Sequence, residues 1–307
     1  MKPFLSIHSE IQSALKNDEP VVALESTIVA HGMPYPENLE TAQRLESLVR
    51  TAGAVPATIA VANGQLQIGC DAELLHSLAT EQNVWKVSRR DLPMALAGSK
   101  LGATTVSGTL IGANLAGISV FATGGIGGVH RDVANTWDIS ADITELAQSR
   151  VAVVSAGAKS ILDLPKTLEA LETAGVTVIG YKTNEFPAFF VRESGLQVRH
   201  QAQSPGEIAR AMHAKWTLGL DGGFLVANPI PGEFAADSTA INHAIELGLE
   251  AAANAQIQGK DLTPFLLRFI NEVTDGKSLA SNRKLVENNV SVGAQLAVEF
   301  ARLKSAE

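Results

Sequence analysis

Short apolar, β-branched runs recur along this chain, at Val21–Leu24, Ala57–Ala62, Ile118–Ala122, Val151–Ser155, Val176–Tyr181 and Phe224–Ala227. Such runs are too short for helices and read as buried strands. Stretches with helical spacing lie between them. Asn38 to Thr51 puts Leu39, Ala42, Leu45 and Val49 on one face and closes at Gly53, a C′ glycine. Ile161 to Ala174 repeats Leu164, Leu168 and Leu171 and ends at Gly175. Ser204-Pro-Gly-Glu207 is a capping box with proline at N1. Thr263-Pro264 opens another helix that ends near Gly276. Strands alternating with helices specify an α/β fold. Asn63-Gly64, between Ile59–Val61 and Leu66–Ile68, predicts a type I′ hairpin, which makes the sheet mixed rather than purely parallel. The expectation is a single large domain over residues 1–307, with a mixed central sheet flanked by helices and a helical C-terminal region.

The composition excludes several classes of function. A 307-residue chain with 46% hydrophobic residues can bury a substantial core. The formal charge of -8, without a basic tract, argues against a nucleic-acid polymer or an anionic membrane as partner. No apolar stretch approaches membrane-spanning length, and Met1 to Ser9 lacks a signal-peptide core. Cys70 is the one cysteine, so no intrachain disulfide forms and zinc sites built on several thiolates are excluded. A cytoplasmic location is expected.

Lys159 is the most informative single residue. It follows the Val151–Ser155 run and Gly157, on a strand-to-helix turn of the kind where open α/β sheets bind ligands. A lysine there can clamp a phosphate, form Schiff bases as a neutral amine, or simply be a solvated loop lysine. Phe121 to Arg131 is dense in glycine, suited either to an anion nest of backbone N–H groups or to a tight packed turn. It fails the dinucleotide fingerprint, because His130 stands at the third glycine position. Asp138 and Asp142 are four apart with Ser140 between them. On a helix they would share a face and suit Mg²⁺ or Mn²⁺; a helix cap explains them as well. Glu25 ends an apolar strand, where a raised pKa would make it a general acid and an ion pair would make it structural. Lys86, Arg89 and Arg90 beside Asp91 form a basic knot, either a solvated face or a place to look for a phosphate. Asn282 and the Asn288-Asn289 pair carry amides able to read an imide edge, or to cap helices.

Taken together these segments resemble the pseudouridine-5′-phosphate glycosidases, the indigoidine synthase A family. The resemblance rests on Ala23–Glu37, Lys86–Asp91, Val120–Arg131, Asp138–Asp142, Ser155–Asp163 and Ala227–Pro231, and extends over nearly the whole chain. It implies that Lys159 is the covalent nucleophile, Glu25 the proton donor and Lys86 a substrate contact. Val106 falls where a main-chain contact to substrate is made. Asp138 matches a metal-binding aspartate, and Ser140, Ala141 and Asp142 the adjoining substrate-binding stretch. Thr123, His130 and Asn282 are similar to further pocket residues. The implied cofactor is Mn²⁺ or a similar divalent cation, one per subunit, and the implied assembly is a homotrimer. Two small departures appear: the loop before Lys86, residues 81–85, is a residue shorter than in some relatives, and Gly108 stands where alanine is expected, a minor packing change.

The implied activity is reversible cleavage of the C–C glycosidic bond of pseudouridine 5′-phosphate to uracil and ribose 5-phosphate. Ordinary glycosidases protonate a leaving oxygen, but a ring carbon leaves poorly under acid catalysis alone. A lysine adduct at the anomeric carbon, formed as the ribose ring opens, supplies the missing electron sink. The residues also admit an alternative, a Schiff-base aldolase or isomerase acting on a sugar phosphate, and a non-catalytic nucleotide-binding protein.

Overall fold

The apolar runs form strands shut off from water on both faces, as the interior of a parallel sheet requires. The computed structural model describes residues 3–257 and 259–305. Among these residues eleven strands form one sheet: β1 (Leu5–Ile7), β2 (Val21–Leu24), β3 (Val55–Ala62), β4 (Gln65–Ile68), β5 (Trp85–Val87), β6 (Gly102–Thr104), β7 (Val120–Ala122), β8 (Ala152–Ser155), β9 (Thr177–Tyr181), β10 (His200–Ala202) and β11 (Phe224–Ala227). The order is β1-β4-β3-β2-β7-β8-β11-β9-β10, with β6 beside β3 and β5 beside β6. Pairing is parallel except for β3 with β4 and β3 with β6. The Asn63-Gly64 hairpin is present, with φ of 54° and 72° at its two central residues, the positive values that a type I′ turn needs.

Strands β2, β7, β8 and β11 are buried at every position. Each fully buried valine or leucine there contributes roughly 1.5–3 kcal/mol. The strands that the sequence pattern does not announce are β1, β5, β6 and β10. Each has three residues, and β1, β5 and β10 are only partly buried, so none carries a clear hydrophobic period.

The helices need small corrections. The helix after Lys159 runs Leu164–Thr173 rather than from Ile161, because the Asp163 side chain accepts the Lys166 N–H and starts it there. The helix expected from Thr263 begins at Leu262 and stops at Val273; Gly276, at φ 79°, starts the long helix Lys277–Lys304 instead. That last helix lies across β2, β7 and β8, flanked by the Glu37–Thr51 and Pro205–Thr217 helices.

The topology also places the site. From β2 the chain passes to β3 on one side, while β7 passes to β8 on the other. The carboxyl ends of β2 and β7 therefore border a topological switch point, where open α/β sheets leave a crevice.

Candidate active site

The crevice is a cavity of about 800 Å³, and its wall includes Glu25, Lys86, Val106, His130, Asp138, Ser140, Ala141, Asp142, Lys159 and Asn282. Thr123 reaches it through Glu25, to which its hydroxyl donates a hydrogen bond. All the residues singled out by the resemblance thus meet in one place, drawn from segments far apart in sequence.

Glu25 and Thr123 are the first residues beyond β2 and β7. Burial pushes the Glu25 carboxyl above its ordinary range. The Lys159 ammonium, the Thr123 hydroxyl and Lys86 pull the other way, and the Asp142 charge adds to the rise. An acid held above its usual pKa beside cations is suited to delivering a proton.

Lys159 sits on the turn after β8, as its sequence context predicts. The turn is tied on both sides: Lys159 N–H donates to Ile126 O (3.1 Å), and the Gly157 carbonyl accepts from Ile126 N–H (3.1 Å) and Ser155 Oγ (2.9 Å). Gly157 has φ 72°, and a Cβ there would collide with the Pro187 carbonyl, so the turn requires glycine. Lys86 is half-buried in β5. Burial, followed by the charge of Lys159, holds its ammonium below the ordinary lysine value, against Asp142, Glu25 and Asp261.

Much of the glycine-rich turn is engaged within the fold, while Gly124, Gly125 and Gly127 line the cavity. Thr123, Ile126 and His130 N–H donate to Val154, Gly157 and Asp138 carbonyls. Gly127 N–H donates to Asp142 Oδ2 (2.7 Å) and Val129 N–H to Thr167 Oγ1 (2.9 Å). The turn is a packed junction, and most of its donors are already engaged. Asp142 accepts from Ser107 N–H as well (2.8 Å), so its carboxylate braces two turns at the cavity wall. Val106 opens the helix Val106–Ala116, where leading N–H groups lack intrahelical acceptors; a main-chain contact to a ligand fits that position.

Asp138 and Asp142 do not share a helix face. Ser140 is the N-cap of the helix Ala141–Gln148, and Asp138 lies before it. The Asp138 carboxylate is 3.7 Å from His130 Nε2. Burial lowers the His130 pKa, with Asp138 opposing and the two lysines reinforcing. Among the described residues no three His, Cys, Asp or Glu side chains form a chelating group. The donor set at Asp138 is one partly exposed carboxylate beside an imidazole. It fits a hard cation that keeps most of its waters and does not fit zinc.

All three cations of the basic knot line the cavity, Lys86 half-buried and Arg89 and Arg90 exposed. Arg89 is paired with the buried Glu145, and Arg90 stands 4.0 Å from Asp91, both at the cavity mouth. Gly108 is no minor packing change: a Cβ there would lie 2.7 Å from the Val87 carbonyl, so alanine would push the Val106 helix off β5. Asn282, Asn288 and Asn289 all lie within the Lys277–Lys304 helix rather than at caps, and of the three Asn282 lines the cavity. One wall residue that sequence reasoning missed is Phe189, a cavity residue at φ 61° that is 2% exposed. Three phenylalanines within Phe186–Phe190, in a chain only 5% aromatic, were the available signal.

The model of the indigoidine synthase A like proteins matches residues 10–299. The chain belongs to this family. A relative from Caldanaerobacter subterraneus subsp. tengcongensis, named pseudouridine-5′-phosphate glycosidase, is 56% identical over 99% of both chains. One of the same name from Staphylococcus aureus is 52% identical over 99% of both. Among solved structures, a prealnumycin C-glycosynthase in complex with ribulose 5-phosphate superposes with a TM-score of 0.92 at 38% identity over 100% of both chains. An indigoidine synthase A-like protein from Thermotoga maritima has a TM-score of 0.89 at 34% identity, covering 98% of this chain and 99% of that one. This family member therefore shares sequence and fold across essentially its whole length.

Proposed function

We propose that the chain is a C-glycosidase that reversibly converts pseudouridine 5′-phosphate and water to uracil and ribose 5-phosphate. The observation that carries this reading is the meeting of Lys159 with a half-buried, hydrogen-bonded Glu25 in one cavity at the switch point. The name borne by relatives above half identity supplies the substrate.

Glu25 delivers its proton to the ribose ring oxygen as Lys159 Nζ attacks the anomeric carbon, and the C–O bond of the ring breaks. The attacking nitrogen, now an ammonium, returns a proton to the Glu25 carboxylate and pushes the freed lone pair toward that carbon to form a C=N bond. The C–C bond to the base breaks, and its electron pair passes into the uracil ring, where a proton at the former bonding carbon completes uracil. Water hydrolyses the imine, releasing ribose 5-phosphate and the free lysine. Lys86 contributes positive charge for the phosphate. Asp138 would hold Mn²⁺ or a similar divalent cation through its carboxylate and water, one per subunit, adding electrostatic support for the anionic substrate. Asn282 offers its amide to the base, and Val106, Ser140, Ala141, Asp142, Thr123 and His130 complete the wall. A homotrimeric assembly belongs to the same reading and rests on family resemblance, while a cytoplasmic location rests on composition; sedimentation of the purified protein tests the first.

The deciding assay is uracil release from pseudouridine 5′-phosphate, combined with borohydride reduction in the presence of ribose 5-phosphate. A sugar phosphate fixed to the peptide carrying Lys159 is the expected product. Uracil release without any trappable adduct would remove the imine from the mechanism. An adduct without uracil release, or without C-nucleotide synthesis from uracil, would favour a Schiff-base aldolase or isomerase.

A further inference from the structure

Asn289 is fully buried in the middle of the Lys277–Lys304 helix. Asparagine is a poor helix former, and a buried amide is costly unless its polar atoms are satisfied. Every hydrogen-bonding group of this amide is used. Nδ2 donates to the Thr123 carbonyl (2.8 Å) and the Gly124 carbonyl (3.2 Å), and Oδ1 accepts from Asn228 Nδ2 (2.9 Å). Asn228 follows β11 and is itself tied to β8, its N–H donating to Ser155 O (2.8 Å). The amide thus joins the carboxyl ends of β7, β8 and β11 beneath the cavity.

The helix can come this close because of Gly293, one turn further on, where a Cβ would lie 3.0 Å from the Ala122 side chain. Asn282 is two turns before Asn289 and shares its face. Its Oδ1 lies over Gly124, 3.4 Å from where a Cβ on that glycine would stand. One helix face therefore reads Asn282, Asn289, Gly293 along the end of β7 and toward the cavity. Thr123, whose carbonyl Asn289 grips, is also the residue whose hydroxyl donates to Glu25.

We propose that Asn289 is a positioning residue: it keys the C-terminal helix to the end of β7, keeping the Thr123 hydroxyl aimed at Glu25 and the Asn282 amide over the cavity. The inference rests on the reading of Glu25 as the proton donor. A hydrogen bond to a carboxylate favours its charged form, so the Thr123 bond restrains the rise that burial imposes on Glu25. The charged groups acting on Glu25 are Lys159, Lys86 and Asp142, whereas the Asn289 amide bonds to Thr123, Gly124 and Asn228.

The test is a carbon-13 carboxyl titration of Glu25 in the ligand-free protein, assigned with Glu25→Gln. Thr123→Val serves as the reference and Thr123→Ser as the conservative control. Asn289→Leu alone strands the Asn228 amide and two carbonyls, so it is paired with Asn228→Leu, which removes a buried partner and limits the loss of stability. Should that pair not fold, Asn289→Ser, small enough to admit a water, takes its place. The expected result is a midpoint raised by roughly half a pH unit in Thr123→Val and in the Asn289 variant, with Thr123→Ser unchanged. The alkaline limb of kcat/KM for uracil release should move up with it, because the acid keeps its proton to higher pH, and the KM for uracil in the reverse reaction should rise. A folded Asn289 variant whose Glu25 midpoint and uracil KM match the parent would overturn the proposal and leave Asn289 a packing residue. Absence of uracil release by the parent would overturn the proposed function instead, with the titration still judging Asn289.

Discussion

Two half-buried glutamates in this molecule have nearly the same local chemistry and quite different surroundings. Glu25 follows β2 and accepts from the Thr123 hydroxyl. Glu46, on the Glu37–Thr51 helix, accepts from Thr58 Oγ1 at 2.6 Å. Burial raises both carboxyls above their ordinary range, and the threonine hydroxyl opposes the rise in each case. The charges around them separate the two. Glu25 shares a cavity with Lys159 and Lys86. Glu46 is influenced by Arg50 and Glu10 on the protein surface, and it helps burial push the Cys70 thiol far above its ordinary value. A perturbed carboxyl is therefore a sign of burial first. It becomes a candidate acid when an amine and open space face it.

The largest test of that contrast is Lys159→Ala. Turnover should fall by several orders of magnitude, because no other cavity amine occupies the end of β8. The melting temperature should stay close to the parent's, since Lys159 is held by its main chain. Activity near the parent's would break the comparison at its centre.

Next in size is the paired exchange of Glu25→Gln and Glu46→Gln. The first should lower kcat by about 10²–10⁴-fold while nucleotide binding is retained. The second should leave kcat/KM unchanged. Equal losses in both would mean that burial alone, rather than the company of lysines, makes Glu25 matter.

The phosphate comes third. Pseudouridine without its 5′-phosphate should lose about 100-fold or more in kcat/KM, in line with a few kcal/mol from charge-assisted contacts. The loss should appear in kcat as well as KM, because that binding energy also positions the anomeric carbon. Lys86→Ala should narrow the gap between the two substrates, and an unchanged gap would assign the phosphate elsewhere.

A smaller effect is expected at Asp138. Exhaustive chelation should lower activity, Mn²⁺ should restore it, and Asp138→Ala should lose that response. Full activity after chelation would remove the cation from the scheme.

The smallest effect is on stability, and here the two glutamates should behave alike. A carboxyl whose folded pKa is raised contributes stability below its unfolded value, and that contribution is lost as pH rises through the folded value. Both Gln variants should therefore gain melting temperature over the parent as pH rises past the carboxylate range. A gain at Glu46 and none at Glu25 would show that the lysines already offset the cost of burying the Glu25 charge.

The legible parts of this chain are those whose physics is local in sequence. A strand buried on both faces needs an unbroken apolar run, so β2, β7, β8 and β11 can be read directly. The Asn63-Gly64 turn and the Ser204 cap each depend on a few neighbouring residues. The turn bearing Lys159 is visible because Gly157 follows such a run. Nothing in their spacing joins Glu25, Lys86, Asp138 and Asn282 to that turn; at the level of sequence only family resemblance groups them.

The tertiary structure decided everything that depends on residues meeting across the sheet. The glycine-rich turn reads as a possible anion nest, yet partners from residues 138 to 167 take most of its N–H groups. Gly108 reads as a neutral change, yet the Val87 carbonyl lies against it. Asn282 and Asn289 read alike, and helix packing sends one amide to the cavity and the other to the strand ends. By itself the sequence determined an α/β sheet with a lysine on a ligand-binding turn, because hydrophobic period and turn chemistry act over a few residues. Which polar atoms remain open to a substrate was decided only by packing, because a hydrogen bond is claimed by whatever group lies about 3 Å away in space.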